Sequence, residues 1–62
     1  MMTSKTYYIE NSIALTNALA MISLRYPSAI SRTYIEMDYS EVSITARTVN
    51  FASIERILAP LM

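Results

Sequence analysis

Sixty-two residues, 53% of them hydrophobic and 16% charged, make one domain near the lower limit at which a hydrophobic core stands unaided. The chain has no cysteine and no histidine, so disulfides are excluded and a zinc or copper site lacks its preferred ligands. Five basic and five acidic residues give zero formal net charge with no polybasic run, which argues against a nucleic-acid or anionic-lipid ligand.

Good packing and self-association are what remain to stabilise such a chain. Its apolar content exceeds what one small core hides, so a homodimer or an obligate protein partner is expected. The longest uncharged run, Asn11 to Leu24, is too short to span a bilayer. No basic segment followed by an apolar one marks a signal peptide, and a cytoplasmic location is the expectation.

In chain order, Met1 to Ser4 is expected to fray. Thr6 to Glu10 has the β-branched and aromatic content of a short strand, with Tyr7 and Ile9 on one face and Tyr8 and Glu10 on the other. Asn11 or Ser12 suits a helix N-cap. Leu15, Ala18, Leu19, Ile22 and Tyr26 then recur at helical spacing as a core-facing stripe. Pro27 ends this helix near Tyr26, because a residue before proline avoids helical geometry. The other side of the helix is hardly polar: Ile13, Ala20, Met21 and Leu24 form a second stripe interrupted by Asn17.

Thr33 to Met37 and Val42 to Val49 read as a hairpin around Asp38-Tyr39-Ser40-Glu41. The chain contains no glycine, so a two-residue turn at positive φ is disfavoured and a four-residue loop on a type I turn is expected. That loop sets Met37 opposite Val42, Ile35 opposite Ile44 and Thr33 opposite Ala46. It also sets Arg32 against Arg47 at the far end. Phe51 to about Ala59 is the last helix, with Phe51, Ile54, Ile57 and Leu58 inward. Asn50 is its expected N-cap, Val49 and Ile54 its hydrophobic staple, and Pro60 its stop.

The expected fold is α+β, in the order β-α-β-β-α. A right-handed crossover gives a three-stranded antiparallel sheet of order 1-3-2 with both helices on one face, a ferredoxin-like split unit without its last strand. The absent strand leaves Lys5 to Glu10 as an open edge. Two copies have two ways to meet. One pairs this edge through Tyr7 and Ile9, and is the favoured route. The other joins the second helical stripe through Ile13, Asn17, Met21 and Leu24.

The sheet face away from the helices is expected to show Tyr8, Tyr34, Glu36, Asp38, Ser43, Thr45 and Arg47. Tyr39 and Glu41 belong to an acidic, aromatic knob at the hairpin tip. Tyr8, Tyr34, Glu36, Asp38, Tyr39, Glu41 and Arg47 are the candidate partner-binding residues, since exposed tyrosine buries large area at low entropic cost. Two tyrosines on a sheet resemble a base-stacking platform, but Glu36 and Asp38 repel a phosphate backbone.

Catalysis needs an activated nucleophile, an acid–base pair or a metal, and the residue inventory supplies none in a cleft. No glycine loop exists to cradle phosphate, so no catalytic, metal or cofactor site is expected and no small-molecule substrate. The function expected is that of a small protein-binding module, homodimeric, an inhibitor or adaptor such as phage and mobile-element genomes direct at host complexes. The alternatives are a structural assembly subunit, or a nucleic-acid-binding dimer that clusters Arg25, Arg32, Arg47 and Arg56 by symmetry.

Overall fold

The computed structural model describes residues Met1–Met62. The elements are β1 (Met2–Glu10), α1 (Ile13–Arg25), β2 (Ile30–Ile35), β3 (Tyr39–Arg47) and α2 (Phe51–Leu58), with short 3-10 turns at Thr48–Asn50 and Ala59–Leu61. The strands form one antiparallel sheet in the order β1-β3-β2. The β-α-β-β-α order and the sheet order are those the sequence predicts.

Central strand β3 supplies the middle of the core. Its alternate residues Val42, Ile44 and Ala46 point to the helices, where they meet Leu15, Ala18 and Ile22 of α1 and Phe51, Ile54 and Leu58 of α2. Ile9 of β1 completes this cluster. Ser12 caps α1 by accepting the Leu15 N–H at 3.1 Å. At the other end the Tyr26 N–H closes the last turn on the Ile22 carbonyl, and its backbone leaves the helical region before Pro27.

Four local expectations are corrected. First, β1 begins at Met2 rather than Thr6. The expected frayed end is laddered onto β3, because that nine-residue strand offers each of these residues a partner. The Thr48 N–H donates to the Met1 carbonyl at 2.9 Å, and the Ser4 and Thr45 hydroxyls lie 2.7 Å apart.

Second, the hairpin register slips. Ile35 faces Ser40 rather than Ile44, a four-residue displacement that keeps every side chain on its expected face but moves the turn to Met37-Asp38. Met37, expected opposite Val42, sits at the tip and is 97% exposed. The cause is Asn11. Its side-chain amide donates to the Glu36 carbonyl at 3.0 Å and to the Met37 carbonyl at 3.4 Å, and its N–H donates to the Asp38 carbonyl at 3.0 Å. The buried Ser40 hydroxyl donates to the Asn11 side-chain oxygen. These partners satisfy a tight turn from outside, so it closes with no residue at positive φ.

Third, Arg32 faces Ser43, and Arg47 faces Met2. The like-charge pair expected at the hairpin base is therefore absent. Fourth, Asn50 makes no capping hydrogen bond: its own backbone is already helical, since a 3-10 turn feeds directly into α2. Val49 is exposed, so it forms no staple with the buried Ile54. The helix itself ends at Leu58, ahead of Pro60 as expected, and Pro60 lies in the final 3-10 turn.

Candidate functional site

The face of the sheet opposite the helices carries no covering element. Register alone arranges its side chains. Tyr8 of β1, Glu41 of β3 and Tyr34 of β2 fall in one row across the three strands. In the next row Glu10 lies opposite Tyr39, and the Glu36 N–H bonds the Tyr39 carbonyl at 2.9 Å on the other side. Tyrosines and glutamates thus alternate in both directions, as a small checkerboard.

Contacts within it are direct. The Tyr8 hydroxyl donates to Glu41 Oε1 at 3.3 Å. The Tyr8 and Tyr39 rings meet edge to face, their centroids 6.2 Å apart at 60°. The Glu41 charge beside it, more than any other cause, raises the Tyr8 pKa above the ordinary tyrosine value. Tyr8, Tyr34 and Tyr39 remain 66%, 58% and 46% exposed. Asp38 adds a further carboxylate at the adjoining turn.

Away from this end the face changes character. Thr6 and Ser43 hydroxyls lie 3.1 Å apart, followed by the Ser4–Thr45 pair. Arg32 stands beside Ser43, and Arg47 lies beyond, next to Met2. The face is therefore acidic and aromatic at the turn, hydroxyl-lined with Arg32 in the middle, and ends on Arg47. No three acidic residues gather closely enough to hold a metal ion.

The chain matches no protein-family model, no curated protein and no solved structure. What it offers a partner must be read from its own surface.

Of the sequence-derived partner residues, the structure brings together Tyr8, Tyr34, Glu36, Tyr39 and Glu41, with Asp38 alongside. Arg47 lies apart at the opposite end. Tyr39 and Glu41 are strand residues and not a knob, a consequence of the register slip. Glu10 belongs to the cluster and was legible from its alternation with Tyr8.

The self-association residues divide. Ile9 is 1% exposed and belongs to the core, so its side chain cannot meet a partner. Tyr7 turns to α2, where its hydroxyl donates to Glu55 Oε2 at 2.8 Å. Burial, and secondarily Glu55, raise the Tyr7 pKa to about 12. Lys5, expected in a mobile end, instead pairs with Glu55 at 3.4 Å and lies 5.1 Å from the centre of the Phe51 ring. On α1, Ile13 and Leu24 are strongly exposed, and Asn17 and Met21 line a groove of about 380 Å³ with Ile57 and Leu61.

Proposed function

We propose that this chain is a non-catalytic protein-binding module whose tyrosine–glutamate sheet face docks a basic protein surface. The observation that carries this reading is the pair of rows Tyr8–Glu41–Tyr34 and Glu10–Tyr39–Glu36 on an uncovered sheet. An arginine or lysine side chain laid on this face meets a ring and a carboxylate at once. The ring attracts the cation through its quadrupole, at about 0.5–2 kcal/mol depending on desolvation, and the carboxylate orients it. Rigid tyrosines supply contact area with little entropy to lose.

A nucleic-acid ligand is the weaker reading. The rings that would stack on bases are interleaved with carboxylates, which repel the phosphates such a ligand carries. Arg47 lies at the other end of the face, and Arg32, in the row next to Tyr34, is a single cation among these carboxylates. Self-association is the second half of the proposal: Ile13, Met21 and Leu24 leave more apolar surface uncovered than an isolated small domain needs. An adaptor or inhibitor of a larger complex is the role such a surface serves.

Titration of the isotope-labelled protein with a short alternating Arg-Lys peptide, followed by nuclear magnetic resonance, tests the binding half. Amide shifts should concentrate at residues 8, 10, 34, 36, 39 and 41 and disappear at high salt. Shifts confined to the helices, or retained after Glu41→Gln with Glu36→Gln, would overturn it. A parallel titration with single-stranded oligonucleotide should leave the same amides unmoved.

A further inference from the structure

The outer edge of β1 has a defined hydrogen-bonding parity. The Thr48 N–H bonds the Met1 carbonyl at one end of the β1–β3 ladder, and the Asn11 N–H bonds the Asp38 carbonyl at the other. Antiparallel ladders alternate bonded and non-bonded positions. The register runs from Met2–Arg47 to Glu10–Tyr39 without a bulge. Odd residues therefore bond β3, and the N–H and C=O groups of Met2, Ser4, Thr6, Tyr8 and Glu10 point outward. The edge carries no proline, no bulge and no covering strand; of the usual blocks to pairing it has only charges, Glu10 at its end and Lys5, which is tied to Glu55.

We infer that this edge pairs with the same edge of a second copy, antiparallel, with Thr6 opposite the partner's Thr6. This rests on the self-association half of the function proposed above, takes the strand edge and not the α1 stripe as its contact, and is independent of the basic-surface half. Thr6 is the midpoint of the nine-residue strand and an outward residue, so only this register pairs the whole strand. Met2 then faces the partner's Glu10, and Ser4 the partner's Tyr8.

Neighbouring registers of the same parity are worse. A slip in one direction sets Lys5 directly opposite the partner's Lys5, a like-charge pair, and leaves Glu10 without a counterpart. A slip in the other leaves Met2 unpaired.

The full-length register also brings complementary groups together. On the helix side, Lys5 falls opposite the partner's Tyr7, whose hydroxyl already donates to Glu55. Each Lys5 thus reaches both its own Glu55 and the partner's Glu55, and the two ion pairs of the free chains join into one network. On the open face, the Glu10–Tyr39 end of one copy abuts the Met2–Arg47 end of the other. Acidic end meets basic end, twice, about the two-fold axis. The hydroxyl ladder Thr6–Ser43 continues through the paired threonines into the second sheet.

Cysteine cross-linking tests the register in a chain with no cysteine of its own. Opposed Thr6 residues have Cα atoms about 5.5 Å apart, within disulfide reach. Mild oxidation of Thr6→Cys should give a covalent dimer. Ser4→Cys alone and Tyr8→Cys alone should not, since their copies stand about 14 Å apart along the strand, yet their equimolar mixture should. Thr6→Pro removes an outward N–H and the exposed Thr6–Ser43 hydroxyl contact but no β1–β3 ladder bond, so it should abolish the dimer in sedimentation equilibrium with the circular dichroism unchanged. Thr6→Val, which loses the hydroxyl and keeps the N–H, should still dimerise.

A wild-type dimer that Leu24→Asp dissociates, and that Thr6→Pro and Thr6→Cys leave unaffected and uncross-linked, would overturn the edge register while self-association stands. A wild-type monomer at high micromolar concentration would overturn both.

Discussion

The hydroxyl of Tyr7 donates to Glu55 Oε2 at 2.8 Å, joining the edge strand to the last helix through a bond that Lys5 shares from the other side. It has a consequence on both limbs of the pH profile. Tyr7 is raised to about 12, by burial first and by Glu55 second. Its ordinary value of 10.0 holds in the unfolded chain, so between these two values the unfolded state binds fewer protons than the folded one. The stability it contributes is present below pH 10 and lost as pH rises through about 12. Glu55 is lowered, chiefly by the Tyr7 hydrogen bond, so its contribution is present above the ordinary carboxylate range and lost as pH falls. Urea midpoints against pH should show Tyr7→Phe flattening the alkaline loss. In Glu55→Gln the Tyr7 titration, read by ultraviolet absorbance, should drop but stay above ordinary tyrosine, because burial is the larger cause. A complete return to 10 would refute that ranking.

Asn11 and Ser40 hold the hairpin in register. Removing one partner strands the other, and a buried group left without its bond costs about 1–3 kcal/mol. Ser40→Ala should cost about 1–2 kcal/mol, and Asn11→Ala more, since Asn11 also supports the Glu36 and Met37 carbonyls. Asn11→Asp keeps an acceptor for Ser40 but points a carboxylate at two carbonyls, and should be at least as harmful as alanine. The double variant Asn11→Ala, Ser40→Ala should cost clearly less than its two parts added together, by denaturant titration. Full additivity would mean the two residues act separately.

The same pair marks where sequence reading stops. Periodicity made Leu15, Ala18 and Ile22 legible as a core stripe, and handedness of the crossover was enough to place β3 between β1 and β2. Register was not legible, because local turn chemistry ranks turns by their own residues. Here the deciding bond comes from Asn11, 29 residues from Ser40 along the chain. The error then propagated: with the turn misplaced, Tyr39 and Glu41 read as a knob and not as strand residues, Tyr39 facing Glu10 and Glu41 facing Tyr8 and Tyr34. Alternation still put Tyr8, Tyr34 and Glu36 on the correct face, because a slip by an even number preserves sides. Lys5 and Glu55 escaped notice for a related reason: they meet only once β1 extends to Met2 and α2 crosses above it.

Ile54 and Val49, expected to touch, separate into core and surface, and substitution should read the difference. Ile54 is fully buried between the helices and the sheet. Ile54→Val removes one methylene and should cost about 0.5–1.5 kcal/mol. Val49→Ala removes atoms already in water and should stay within about 0.5 kcal/mol. A comparable loss at Val49 would show that the hydrophobic staple forms after all. The conservative change is the better probe, since alanine at Ile54 would remove about 2–5 kcal/mol from a domain with little to spare.

Glu41 is the centre of the exposed checkerboard, and one substitution there separates its two roles. Its charge raises Tyr8, so Glu41→Gln should return the Tyr8 titration toward the ordinary value. Because the shift is upward from a value already far above neutrality, Tyr8 stays protonated at neutral pH in both proteins, and any change in binding there reflects the lost carboxylate. For the Arg-Lys peptide, losing one charge-assisted contact should weaken the dissociation constant by about tenfold, near 1.4 kcal/mol. The slope of affinity against salt should become shallower at the same time. Tyr34→Phe keeps the ring and removes only a hydroxyl, so it should bind almost as wild type, whereas Tyr34→Ala should lose affinity without changing the salt slope. If Tyr34→Ala binds as tightly as wild type while Glu41→Gln weakens binding, the rings are bystanders and the face is only an anionic patch. Loss in both variants, with the salt slope altered in Glu41→Gln alone, is the outcome that a joint aromatic and carboxylate site requires.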